Sequence, residues 1–335
     1  MKLPIRILAA LALPLAAFAQ QRILSPAGPA GASLARLGWF VLILSLVVLG
    51  VMWLILALVL TRPRGTLDEH EPADTGGGQN WIFIGGFAFP AAVLAIMYIA
   101  GLDSMSHFPL SGGMNTKDAE IRIVGHQWWW ELQYLGGPLN EHFTTANEIH
   151  IPAGRTVDID LASEDVIHSF WVPALHGKVD LIPGQMNRIR VEASHPGVFR
   201  GQCAEFCGAE HAKMIISVVA ETREDYNRWL ARMRQPGAVP STDEQTRGQD
   251  VFLSGGCSLC HTIDGTLAAG TVGPNLTHIG SRRKIAANLL DNNTANLMAW
   301  VTHARSLKPA VVMPNMTQFS GDQLRELVVY LESLK

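Results

Sequence analysis

Between Leu37 and Leu60, and again between Trp81 and Leu102, the chain carries no charged side chain. Each run is long enough to cross a hydrocarbon core of about 30 Å as a helix, and a core helix of a soluble protein rarely reaches that length without a charge. The two runs predict a transmembrane hairpin with spans 37–60 and 81–102. Arg62 and Arg64 follow the first span, so the positive-inside rule puts the Thr61–Asn80 loop in the cytoplasm and both ends of the hairpin outside. The first nineteen residues, with Lys2 and Arg6, an apolar middle and small residues Ala17 and Ala19, have the pattern of a secretory signal cleaved near Ala19–Gln20.

With 335 residues, 48% hydrophobic and 16% charged, the chain is too apolar for disorder and long enough for several folded units. Lys+Arg at 26 against Asp+Glu at 29, without a basic block, excludes a nucleic-acid footprint. There is neither a Walker loop nor a dinucleotide-binding glycine fingerprint. Beyond Asp103 the texture changes to short alternating segments, among them Ile121–Val124, Thr156–Leu161 and Arg188–Val191, separated by Gly, Pro and Asn, which predicts an antiparallel sandwich or barrel. The run Trp128-Trp129-Trp130 is placed in its first strand, where alternation buries one face and exposes the other. The stretch 235–241, with Pro236 and Pro240, reads as a semi-rigid linker. The unit after it has helical edges. Ser241 or Thr242 caps a segment running through Phe252, and Ser320 caps a helix with Leu324, Leu327, Val328 and Leu331 on one face.

Cys257-Ser-Leu-Cys260-His261 is the most specific motif. Two cysteines at this spacing form thioethers to the two vinyl groups of one haem, and the adjacent histidine presents its imidazole to iron. A disulfide or half a zinc site uses the same cysteines, but neither needs the histidine. Haem attachment calls for a second axial ligand, for which Met313 in Val-Met-Pro-Asn is the first candidate and Met316 its rival.

The second cluster is Cys203-Ala-Glu205-Phe-Cys207-Gly-Ala-Glu-His211-Ala-Lys-Met214, with His168 upstream. Two thiols, two imidazoles and a thioether are soft and borderline ligands that select copper over magnesium or calcium. A mononuclear blue-copper site uses one cysteine, so the second implies two ions sharing bridging sulfurs. A Cys203–Cys207 disulfide or a zinc site is the alternative, and Met214 has no purpose in either. His176, His195, His278 and His303 are read as surface or supporting residues rather than ligands.

The segment from Gly201 to Met214, with Asp165-Val-Ile-His168-Ser-Phe and Gly125-His-Gln-Trp-Trp-Trp130, resembles subunit II of haem-copper cytochrome c oxidases, in the variant with a class I cytochrome c fused at the C-terminal side. The resemblance spans nearly the whole chain. It implies a multidomain membrane protein: signal peptide 1–19, N-terminal segment and transmembrane hairpin 20–104, all-β cupredoxin sandwich 105–234, linker 235–241 and all-α cytochrome c domain 242–335. It further implies a dinuclear CuA centre with Cys203 and Cys207 bridging, His168 and His211 terminal, and Met214 and the Glu205 carbonyl as weak axial ligands. The Glu205 carboxylate would reach a magnesium at the boundary with subunit I. Covalent haem c would sit on Cys257, Cys260, His261 and Met313, with the Pro274 carbonyl orienting the haem histidine. Gly273-Pro274-Asn275, Trp300 and Lys308-Pro309 carry the likeness to class I cytochromes c. The family uses a tryptophan at the position of Trp128 to accept electrons.

The resemblance implies an electron relay from a donor, such as a cytochrome c or a quinol–cytochrome c reductase, through haem c and CuA to subunit I, which reduces oxygen. Subunit III is a further expected partner, and the bacterial inner membrane the expected location. One departure concerns proton uptake: the family often has a glutamate three residues before the tryptophan that opens the second span, and Gly78 stands there. Asp68, Glu69, Glu71 or Asp74 would have to substitute, or the partner takes protons another way. The electron-input subunit of a copper-containing nitric oxide reductase would share this architecture. A membrane-anchored copper carrier would lack the haem motif.

Overall fold

The structure, a computed structural model, describes residues 24–62, 78–106 and 120–335. The signal-peptide reading (1–19) and the loop carboxylates Asp68, Glu69, Glu71 and Asp74 lie outside the described residues. Two compact units are present, Ala32–Phe108 and a larger one that takes in the rest of the described chain.

In the smaller unit, helix α1 (Pro29–Thr61) and helix α2 (Gly78–Ser106) are both long and apolar enough to cross a membrane. Side chains such as Leu46, Trp53, Ile82 and Ile99 are exposed along them, as a surface facing hydrocarbon requires. The Ser33 hydroxyl meets the Ser104 hydroxyl at 3.2 Å, so the start of one helix lies against the end of the other. Within α2 a wider helical turn covers Ile84–Ala88, where Gly85 and Gly86 precede Pro90. Gly78 is the first residue of α2 and has no group that could hold a proton.

In the larger unit, ten strands form two five-stranded sheets. The first contains β1 (Ile121–His126), β2 (Trp129–Tyr134), β3 (Phe143–Ala146), β5 (Val157–Ser163) and β8 (Asn187–Val191), in the order β3-β2-β1-β5-β8. The second contains β4 (Glu148–Pro152), β6 (His168–Trp171), β7 (Val179–Leu181), β9 (Gly197–Cys203) and β10 (Ile215–Glu221), in the order β4-β10-β9-β6-β7. Period-two alternation decides the faces: Ile121, Ile123, Trp130 and Leu132 point into the sandwich and meet Ile149, Phe170, Phe199 and Ile216 from the other sheet.

The sandwich is mixed rather than purely antiparallel, because β1–β5 and β4–β10 pair in parallel. The chain changes sheet between β3 and β4 and again before β5, and such crossovers bring strands back in the same direction. The tryptophan run also lies differently from expectation. Trp128 sits in the connection after β1, and only Trp129 and Trp130 belong to a strand, the second one. Residues up to Gly31 belong to the larger unit and join the sandwich: the Ala27 amide donates to Ala174 O at 2.7 Å and the Gly31 amide to Leu175 O at 3.0 Å.

Helix α3 (Arg223–Met233), capped by Thr222, lays Tyr226, Trp229 and Met233 on the sandwich. Residues 235–242 have no regular structure, and the Gly237 amide is tied to Asp264 O at 2.8 Å. Three helices then frame a second core: α4 (Asp243–Ser254), capped by Thr242, α5 (Thr294–Leu307), and α6 (Gly321–Ser333), whose Ser320 and Gln323 form a capping box. Phe252, Leu297, Val301, Leu327, Val328 and Leu331 fill it. Gly248 lets α4 approach α6 closely, since a Cβ there would lie 2.7 Å from the Tyr330 Cβ.

The two cores are fastened to each other. Successive left-handed residues Ala286 (φ 55°), Ala287 (58°) and Asn288 (62°) present the Asn288 amide to Asn147 O at 2.6 Å and to Ile215 O at 3.3 Å. The Arg283 amide donates to the Glu148 carboxylate at 3.3 Å.

Candidate metal centre and haem site

The end of β9 pairs with β6, which sets Cys203 opposite Phe170 and brings His168, from a distant part of the chain, beside the cysteine loop. The Cys203 and Cys207 sulfurs are 3.7 Å apart. His168 Nδ1 is 3.8 Å from the Cys203 sulfur, and His211 Nδ1 is 3.5 Å from that of Cys207. Met214 Sδ lies 3.9 Å from the Cys207 sulfur, and the Glu205 carbonyl 3.2 Å from that of Cys203. The side-chain donor atoms of His168, Cys203 and Cys207 all fall within 4.8 Å of one another.

All four cysteines are free thiols. A gap of 3.7 Å is far beyond a disulfide bond of about 2 Å, yet an ion with sulfur bonds of about 2.3 Å spans it easily. The donor set therefore fits metal ions held between two sulfurs, with a thioether that zinc would not use. His168, Cys203, Cys207 and Met214 are buried, and His211 is half-buried.

Hydrogen bonds fix the ligand orientation. His168 Nε2 meets Asp165 Oδ1 at 2.8 Å, which leaves Nδ1 to face sulfur. Burial alone would lower the His168 pKa, but Cys203 and Asp165 outweigh it and raise it. Burial likewise works against the Asp165 carboxylate, and His168 with the Val166 and Gln127 amides keeps its pKa below the ordinary value. The paired thiols divide their protons unequally. The Cys207 thiol holds the Cys203 pKa far below the usual thiol value, and Cys203 in turn, with burial, pushes Cys207 upward. The Cys207 carbonyl accepts from Trp128 Nε1 at 3.0 Å and from Gln127 Nε2 at 2.8 Å. Two glycines make room: a Cβ on Gly125 would lie 2.7 Å from the His168 ring, and one on Gly208, at φ 114°, would lie 3.0 Å from the Trp128 indole.

In the helical unit, Cys257–Leu259 form one tight turn and leave both thiols half-buried. His261 Nδ1 is 2.8 Å from Pro274 O. A carbonyl only accepts, so Nδ1 carries the proton and Nε2 keeps its lone pair for an axial bond. Burial lowers the His261 pKa from 6.5, which favours that neutral form. Met316 packs on the helical core and its amide donates to Val301 O at 3.1 Å, whereas Met313 belongs to neither core. Half-buried thiols, an oriented imidazole and an unused thioether fit a covalent haem.

Of the other histidines, His195 and His303 are exposed, while His176 and His278 are buried, His278 against Gln235 O at 3.0 Å. None of the four joins either cluster. Sequence reasoning gave no role to Asp165, Gly125 or Gln127, although all three stand in the motifs that carry the resemblance. In the sequence Lys308 stands out only as part of the likeness to class I cytochromes c; it is 2% exposed, and its ammonium donates to Trp128 O at 2.7 Å and Lys213 O at 3.0 Å. Burial lowers its pKa to about 8. The Glu205 carboxylate is exposed and pairs with Lys178 at 3.2 Å.

The family profile described as cytochrome c oxidase subunit II, periplasmic domain, matches residues 138–221, and the cytochrome c profile matches residues 245–335. Cytochrome c oxidase subunit 2 of Alkalihalophilus pseudofirmus is 35% identical over 88% of this chain and 83% of its own length. The protein of the same name from Bacillus sp. is 30% identical over 64% of this chain and 62% of its own length. Among solved structures, the periplasmic domain of cytochrome oxidase subunit II from Bradyrhizobium japonicum is 30% identical, covering 36% of this chain and 96% of that one with a TM-score of 0.32. The chain thus belongs to the cytochrome c oxidase subunit II family, as a membrane-anchored electron-input subunit of an oxidoreductase complex that associates with subunit I and carries a cytochrome c domain.

Proposed function

We propose that this subunit takes electrons from a cytochrome c or a quinol–cytochrome c reductase and passes them, by way of covalent haem c and dinuclear CuA, to subunit I, where oxygen is reduced to water. Its setting is the bacterial inner membrane, with subunit III alongside and both redox domains on the outer face. The observation that carries this reading is the facing pair of Cys203 and Cys207 sulfurs at 3.7 Å, flanked by His168, His211 and Met214. The two metal groups supply reversible one-electron chemistry, and the protein's part is to place and tune them.

In this reading Cys203, Cys207, His168, His211, Met214 and the Glu205 carbonyl would hold the copper ions, and Cys257, Cys260, His261 and Met313 would hold the haem. Trp128, bonded through its indole to the Cys207 carbonyl, is the electron-accepting side chain. The exposed Glu205 carboxylate would reach a magnesium at the boundary with subunit I. The domain boundaries follow the composition: sandwich 105–234, linker 235–241 and haem domain 242–335.

Metal and haem analysis of the purified oxidase tests the proposal. Two coppers and one covalent haem per chain are expected, with loss of the mixed-valence copper spectrum in Cys207→Ser. Nitric oxide turnover without oxygen consumption, or native cystines at both cysteine pairs, would overturn it.

A further inference from the structure

We propose that Lys308 is the positioning residue that seats the haem domain on the copper loop, so that electrons cross through the segment 308–313 beside Trp128 and Cys207; this rests on the relay proposed above. Lys308 opens the segment that ends at Met313. Its ammonium joins Trp128 O (2.7 Å) to Lys213 O (3.0 Å), carbonyls of two separate loops. Trp128 is in turn bonded to the Cys207 carbonyl, and Lys213 immediately precedes Met214. Lys213 returns the contact, its ammonium donating to Leu307 O at 3.2 Å. Two lysines thus exchange hydrogen bonds across the junction of the domains.

The segment is fixed from both sides. Val311 packs against the sandwich core, while the Arg305 guanidinium donates to Val312 O at 3.1 Å and the Arg305 amide to Asn315 Oδ1 at 2.9 Å. Packing alone does not account for a lysine at this place. Burying an ammonium costs several kcal/mol before its partners are counted, and a methionine would fill similar space without that cost. What the ammonium adds is direction: two donors aimed at two carbonyls hold the methionine segment in one register against the copper loop. Trp128 is only 8% exposed within the sandwich core, and Lys308 brings the haem domain directly onto its carbonyl. The step being positioned moves one electron from the haem side to the copper side, with no bond made or broken and no proton transferred.

The test is Lys308→Met in the assembled oxidase. Haem-to-copper transfer is followed after rapid photoreduction of the haem, and hydrogen exchange is followed at residues 305–316 and 211–214. The transfer should slow by about tenfold or more and those amides should exchange faster, while both metal spectra and the rate of haem reduction by the external donor stay as they were. An unchanged transfer rate overturns the assignment, whatever the exchange shows. Should Lys308→Met fail to assemble, Lys213→Met, which removes the return bond to Leu307 together with the ion pair to Glu210, must slow the same step severalfold, and an unchanged rate there is equally decisive. A wild-type protein with no haem-to-copper transfer would instead remove the relay itself, an outcome distinct from failure of the positioning role.

Discussion

Gly273→Ala isolates how the haem histidine is held. A Cβ at this position would lie 2.5 Å from His261 Cε1 and 2.9 Å from Nδ1, 0.9 Å inside the 3.4 Å at which ordinary contact begins. The ring has little freedom to retreat, because Nδ1 is tied to Pro274 O at 2.8 Å and Pro274 is the next residue along the chain. Relief therefore requires either breaking that bond or moving the segment carrying both groups. Overpacking of this size costs about 2 kcal/mol, which in a domain this small lowers the melting midpoint by roughly 10 °C. The displaced imidazole should also weaken axial ligation. The assay is thermal unfolding of the purified protein followed at the haem absorbance, together with the spectrum and covalent haem content of the folded state. Gly321→Ala is the control: a Cβ there meets nothing within 4 Å at the start of α6, and the substitution should be neutral or stabilise by up to about 1 kcal/mol. If both variants melt with the wild type and keep its haem spectrum, the close contact between Gly273 and His261 is not what sets the histidine.

Met313→Ala should abolish the methionine-ligated haem spectrum with little loss of folding stability. Met316→Ala should do the reverse, costing about 1–2 kcal/mol in denaturant titration and leaving the spectrum intact. Asp165→Ala should lower copper retention against a chelator by about 10–100-fold, since it frees the His168 ring, and unchanged retention would remove Asp165 from the site. His150 stacks on Trp229 and turns both ring nitrogens to carboxylates, Glu221 at 3.0 Å and Glu148 at 3.2 Å. Burial acts to lower its pKa, and the two carboxylates outweigh that and raise it above 6.5. A raised native pKa contributes stability that is full below pH 6.5 and is lost as pH rises through the native value. The stability advantage of wild type over His150→Gln should accordingly shrink with rising pH in parallel unfolding titrations, and a constant difference would show that the ring is not charged.

The parts of this molecule legible in the sequence are those whose chemistry is local. An uncharged run needs no partner to be identified as a span, and Cys257, Cys260 and His261 occupy one turn whose spacing already matches a haem. Cys203, at the end of β9, is followed closely by Cys207, His211 and Met214, so their convergence was encoded by proximity along the chain. Helix caps at Thr242 and Ser320 were equally short-range.

What the sequence left open depends on strand pairing and domain contact. His168 reaches Cys203 across 35 residues because β6 pairs with β9, and Trp128 leaves the strand expected for it because the chain turns there to open a hairpin. The parallel pairings arise from crossovers that alternation cannot signal, since period two assigns a face but not a neighbour. Place in the sequence puts Met313 ahead of Met316, and what the tertiary structure adds is that Met316 packs on the helical core while Met313 does not. Lys308 spans 180 residues to the Trp128 carbonyl. A lysine in sequence reads as a solvated charge, and only folding of both domains supplies the two backbone acceptors that make its burial tolerable.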